Sequence, residues 1–113
     1  MNAISEMNLS ELQSRALRAS GLLKAMSNPV RLLVLCQHAE SEKSVGELER
    51  VVDVSQSALS QHLALLRTRG LVKFRRQGQT LYYSLDGLEA PTLLAALYQV
   101  YCKKPTRRAL APA

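Results

Sequence analysis

The sequence predicts a mainly helical domain carrying one β-hairpin, an α+β arrangement, and three observations carry that prediction. Apolar residues recur at helical spacing through most of the chain. Two short segments with strong capping residues follow one another almost without a linker. After Gly70 the apolar period switches from near four to two. At 113 residues and 47% hydrophobic content, a chain of this size buries about two-thirds of its unfolded surface, so residues 1–113 read as one domain with an ordered core of about 9–104.

Leu12, Ala16, Ala19, Leu23 and Met26 lie on one stripe of a predicted helix from Leu9 to Met26, with Ser10 as its N-cap. Asn28-Pro29 supplies a cap and then a proline at the first helical position, where a missing N–H costs nothing; the helix continues from Arg31 to Ala39. Its interior, Leu32-Leu33-Val34-Leu35-Cys36, is apolar nearly all round, which predicts burial in the middle of the domain. Ser44-Val45-Gly46-Glu47 is a capping box opening a short helix that ends near Val52. After a break at Asp53-Val54, Ser55 caps a helix running to about Arg69, with Leu59, Leu63 and Leu66 facing inward and Gly70 ending it. Two capped helices joined by a tight turn form a helix-turn-helix. Leu71 to Arg76 and Gln79 to Leu85 then pair across Gln77-Gly78 as a hairpin. A capped segment starting around Asp86 to Pro91 carries Leu93, Leu94, Leu97, Val100, Tyr101 and Cys102 on a last helix toward Lys104, and a basic tail follows.

Several function classes are disfavoured. No apolar run approaches the roughly 20 residues that cross a bilayer, and Met1 to Leu12 lacks the order of a signal peptide, so a cytoplasmic protein with no membrane partner is expected. Two cysteines are too few for a secreted disulfide framework. There is no glycine-rich phosphate loop, no metal-ligand cluster and no nucleophile–base arrangement, so neither an enzyme nor a cofactor is expected. The net charge of +6 points instead to a polyanion. No acidic residue occurs from Val54 to Leu85, whereas Arg67, Arg69, Lys73, Arg75 and Arg76 all do.

The helix beginning at Ser55 offers Gln56, Ser57, Ser60, Gln61 and His62 between its core leucines, hydroxyls and amides of the kind that read base edges in the major groove. No Lys, Arg, Asp or Glu interrupts Ser55 to Leu66, which is unusual for a helix facing only water. Arg67 and Arg69 at its end, with Arg75 and Arg76 on the hairpin, are placed to reach phosphates. Double-stranded DNA is the expected partner. The competing reading, a winged helix that binds protein, is disfavoured by the same acid-free, amide-rich segment.

Leu22-Leu23-Lys24-Ala25-Met26-Ser27-Asn28-Pro29-Val30-Arg31-Leu32 resembles the opening of the ArsR-type winged helix-turn-helix repressors. Ser55-Gln56-Ser57-Ala58-Leu59-Ser60-Gln61-His62-Leu63 resembles their recognition helix, and Gly70-Leu71-Val72 with Gly78-Gln79-Thr80-Leu81-Tyr82-Tyr83 their wing. The resemblance implies a homodimer formed by the first and last helices that binds an inverted-repeat operator and represses until a signal arrives.

The cysteines bear on that signal. Metal sensors of this family carry a Cys-x-Cys pair near the helix-turn-helix or Asp and His ligands on the last helix, and this chain has neither. His38 lies two positions after Cys36, about 200° around a helix, so the two do not grip one metal. Read from its neighbours alone, Cys36 within an apolar run is a core residue. The resemblance to the family's dithiol persulfide and redox sensors assigns Cys36 and Cys102 instead as a signal pair for a reactive sulfur species or oxidant. A metal, metalloid or haem response through the same cysteines stays open at this point.

Overall fold

A computed structural model describes residues 6–102 of the chain. The basic tail and Lys104 lie outside the described residues. The order is α1 (Leu9–Met26), α2 (Pro29–Glu40), β1 (Lys43–Ser44), α3 (Val45–Val51), α4 (Gln56–Thr68), β2 (Val72–Gln77), β3 (Thr80–Leu85) and α5 (Glu89–Leu97), which runs on into a π-helical turn, Tyr98–Cys102. This is the mainly helical domain with a hairpin wing that the patterning predicts.

Local chemistry sets the helix starts. Asn28 Oδ1 accepts from the backbone N–H of Val30 and Arg31 at 2.9 and 3.0 Å, with Pro29 at the first helical position. Ser44 and Glu47 close the expected capping box, the serine hydroxyl accepting from Glu47 N and the carboxylate from Ser44 N. Those bonds hold the Glu47 carboxyl below its usual range. Ser55 Oγ accepts from Ala58 N to open α4, and Gly70, at φ 74°, ends it in the left-handed conformation that only glycine adopts without strain.

Two caps differ from expectation. Asn8 rather than Ser10 caps α1, its side chain accepting from Glu11 N at 2.8 Å, because the first helical residue is Leu9 and the cap must precede it. At α5 no side chain caps the start; Leu88 holds that position, and Thr92 Oγ1 instead donates back to Leu88 O at 2.6 Å.

The hairpin pairs Val72 with Leu85 through to Gln77 with Thr80, and β1, which the sequence did not disclose, adds a short third strand by pairing Lys43 with Tyr83 and Ser44 with Tyr82. The sheet order is therefore β1-β3-β2. This ties the start of α3 directly to the wing.

The core is built where the periodicity places it for α4: Leu59, Leu63 and Leu66 are buried, against Val34 and Leu35 of α2, Leu48 of α3, Val72 and Tyr83 of the sheet, and Ala90 and Leu94 of α5. Burying side chains of this size contributes about 1.5–3 kcal/mol each. Two expectations fail. Within one chain the stripe on α1 is not buried: Ala16 and Ala19 are exposed, Leu23 is 56% exposed, and only Ala25 and Met26 enter the core. On α2 burial is one-sided; Leu33 and Cys36 face outward. Arg31 nevertheless fastens α1 to α2, its Nε donating to Ala25 O at 2.6 Å and Nη2 to Lys24 O at 3.2 Å, a cation on the carbonyl end of α1.

Candidate nucleic-acid interface

Helix α4 presents the polar face that its sequence suggests. Gln56, Ser57, Ser60 and Gln61 are exposed, while the leucines on the opposite face are anchored in the core. The first turn of α4 carries no acidic residue, so the partial positive charge of the helix start is left for an anionic partner. Ser55 is committed to capping, and its hydroxyl lies 3.3 Å from that of Ser57. His62 is half-buried, with Nδ1 3.4 Å from Arg31 Nη1, which ties the middle of α4 to α2 instead of leaving the ring free.

The cations that the sequence groups together separate in space. Because side chains alternate along a strand, Arg76 shares the hairpin face of Phe74 and Tyr83, whereas Lys73, Arg75 and Gln77 share the other. Arg67 reaches across from α4 to lie 5.0 Å over the Phe74 ring, joining helix and wing. Arg75 is held by Glu42: its Nε and Nη2 donate to the two carboxylate oxygens at 2.9 and 2.8 Å, Nη1 donates to Gln77 Oε1, and the guanidinium lies 4.6 Å over the Tyr82 ring. The Glu42 carboxylate raises the Arg75 pKa further above its ordinary value. Arg69 does not join this group. It caps the end of α4 and turns toward α1, where a β-carbon at Gly21 would stand 2.9 Å from its Nη1. Arg76 and Lys73 stay exposed on the wing.

Sequence reasoning missed Glu42. Nothing in a single acidic residue between two helices signals a partner 33 residues later.

Cys36 on α2 and Cys102 at the end of the last helix are both exposed free thiols. Helix α5, which leads into the turn ending at Cys102, packs on α2, and the Cys36 thiol is pushed up first by burial and then by the negative charge of Cys102. His38 points the opposite way, into the core, as the helical angle predicts. The residue is 4% exposed, its ring sits 6.3 Å from that of Tyr83, and neither ring nitrogen has a hydrogen-bond partner. Burial first, then the charge of Lys43, drives its pKa from 6.5 to about 4, with a weaker opposing contribution from the Ser41 backbone.

Known proteins match this architecture and much of its sequence. Residues 28–73 fit the family described as bacterial regulatory protein, arsR family. The transcriptional activator HlyU of Vibrio cholerae is 46% identical over 97 residues, covering 86% of this chain and 90% of its own. A structure described as reduced HlyU superposes with a TM-score of 0.80, over 84% of this chain and all of that one. The transcriptional repressor BigR of Xylella fastidiosa is 40% identical with a TM-score of 0.78, over 87% of this chain and all of its own. A possible ArsR-family regulator of Mycobacterium bovis, described as a homodimeric winged helix-turn-helix DNA-binding domain, is 26% identical with a TM-score of 0.71, over 82% of this chain and 86% of its own. An activator and a repressor thus share this fold at similar identity. The chain belongs to the arsR family of bacterial regulatory proteins, DNA-binding transcriptional regulators and not enzymes.

Proposed function

We propose that the protein is a homodimeric repressor whose hold on an inverted-repeat operator is released when sulfur chemistry links Cys36 to Cys102. What supports this reading is the placement of the two thiols: both are open to solvent, Cys36 lies on α2, Cys102 ends the turn that continues α5 where α5 packs on α2, and the charge of Cys102 bears on Cys36.

Pairing through α1 and the last helix is supported by what a single chain leaves uncovered. Leu17 and Leu23 of α1 are 76% and 56% exposed, and Tyr98 and Tyr101 are 55% and 80% exposed on the last turn. Leaving this many large apolar side chains in water is relieved when they are covered by a second chain. The relative described as homodimeric has the same fold. In such a dimer Gln56, Ser57, Ser60 and Gln61 read bases, with Ser55 and His62 bracing the helix, while Arg67, Arg75 and Arg76 contact phosphates.

The chemistry balances with a persulfide donor as the sulfur source. One thiolate takes the outer sulfur from glutathione persulfide, forming a cysteine persulfide and releasing glutathione. The second thiolate then attacks the inner sulfur, forming the Cys36–Cys102 disulfide and expelling hydrosulfide. An oxidant reaches the same bond through a sulfenic acid, with loss of water. The link pins the last helix to α2, and with it the surface by which two chains pair, so the two reading helices lose the separation that both half-sites require. Disfavouring the bound arrangement by about 1.4 kcal/mol weakens operator affinity tenfold.

Cys36→Ser and Cys102→Ser test this in an operator-binding titration before and after glutathione persulfide. Each variant should bind as the reduced protein does and fail to respond. A single-cysteine variant that is still released as fully as the unsubstituted protein contradicts the pairwise switch.

A further inference from the structure

A cleft of about 480 Å³ opens between α1, the end of α4 and the start of α5, away from the polar face of α4 and from the wing. Three guanidinium groups line it, those of Arg15 and Arg18 on α1 and that of Arg69 at the end of α4, together with the carboxylate of Glu89. Arg15, Arg18 and Leu22 fall on one face of α1 by their spacing of three and four. Within one chain, among the described residues, none of these four charged groups is in an ion pair; the one pair found there joins Arg75 to Glu42. Three like charges directed at one space repel one another, and the arrangement is relieved by an anion between them.

Gly21 leaves room for Arg69 beside α1. Its position on α1 has no side chain, and the Arg69 guanidinium occupies the room that one would fill. Glycine inside a helix costs stability relative to alanine, so an interior glycine under an arginine has a local use.

We propose that this cleft is a binding site for a small organic dianion, a dicarboxylate or a phosphate monoester. Three positive charges against one negative leave a surplus of two, which matches a doubly charged ligand. Planar guanidinium forks grip carboxylate and phosphate oxygens in pairs. Leu22 and Leu71 supply an apolar wall for a short hydrocarbon body, and the volume lies within the range of small-molecule sites. The phosphate backbone of DNA is the weaker candidate. Gln56 opens α4 and Arg69 follows its last residue, roughly 20 Å apart at 1.5 Å per residue, and no residue of the polar face of α4 lines the cleft. Occupancy joins α1 to the end of α4, so this site has a direct mechanical route to the reading helix. It is independent of the thiol pair.

The test is a titration of the full-length protein, reduced and with its arginine side chains isotopically labelled, by succinate and by inorganic phosphate at constant ionic strength. The arginine Nε–H resonances are followed by NMR. Saturable shifts confined to Arg15, Arg18 and Arg69 are expected with at least one anion, and which one saturates distinguishes a carboxylate from a phosphate ligand. Arg18→Gln should raise the dissociation constant about tenfold, the effect of one charge-assisted hydrogen bond. Arg69→Gln should do the same. Non-saturating shifts shared with exposed Arg50 overturn the proposal, as does unchanged affinity in Arg18→Gln and Arg69→Gln. If neither anion saturates and a random DNA duplex moves the same three resonances, these arginines belong to the DNA contact and the proposal fails.

Discussion

Glu42, between α2 and β1, holds Arg75 of the wing through both carboxylate oxygens, at 2.8 and 2.9 Å. A phosphate that recruits Arg75 must therefore displace a carboxylate already in place. Glu42→Gln is expected to raise affinity for random duplex DNA several-fold and to steepen its dependence on salt by about 0.9 in logarithmic slope per added phosphate contact. Arg75→Ala is expected to weaken random-DNA binding and flatten that slope. Fluorescence anisotropy at several salt concentrations checks both, and two unchanged slopes rule out the wing contact.

Gln56 and Ser57 open α4 with side chains free of the core. Gln56→Ala or Ser57→Ala is expected to cost about 1–3 kcal/mol of operator binding while leaving random-DNA affinity nearly unchanged. Competition of operator against random duplex measures the ratio directly. Equal losses on both DNAs indicate that these residues position the helix without reading bases.

His38 is buried neutral, its pKa lowered to about 4 by burial and by Lys43. Because the folded value lies below the unfolded 6.5, the unfolded chain takes up a proton first as pH falls. Stability is thus lost progressively between those two values, by up to about 3 kcal/mol. Urea denaturation at about pH 7 and about pH 4.5 should show that loss, and His38→Leu should reduce it. An equal loss in the variant would assign the acid sensitivity to other groups.

The Cys36 thiol is raised by burial and, second, by the charge of Cys102. Cys102→Ser removes only the second cause, so Cys36 should ionise at a lower pH and alkylate faster in mild alkali. The pH profile of iodoacetamide modification checks this. An unchanged profile means that the two thiols do not sense each other.

Much of the architecture was legible because it is written in local chemistry. Asn28-Pro29, the Ser44–Glu47 box, Ser55 and Gly70 each act within four residues, and each holds. What was illegible lies across the chain or beyond it. The strand at Lys43–Ser44 exists only because Tyr82 and Tyr83 come to pair with it. The stripe on α1 announces an amphipathic helix without saying what covers it, and the chain's own core does not. Arginines adjacent in sequence parted company, Arg75 to Glu42 on one wing face, Arg76 to the other and Arg69 to α1, because strand alternation and helix rotation, unlike net charge, decide direction.

The proposed switch between Cys36 and Cys102 is tested most simply by intact-mass spectrometry of the reduced protein before and after glutathione persulfide, with operator binding followed on the same samples. A mass change that maps to a link between Cys36 and Cys102, appearing in step with the loss of operator binding, is the expected result. Thiols left unmodified with binding unchanged, or a link that forms while binding persists, would contradict it.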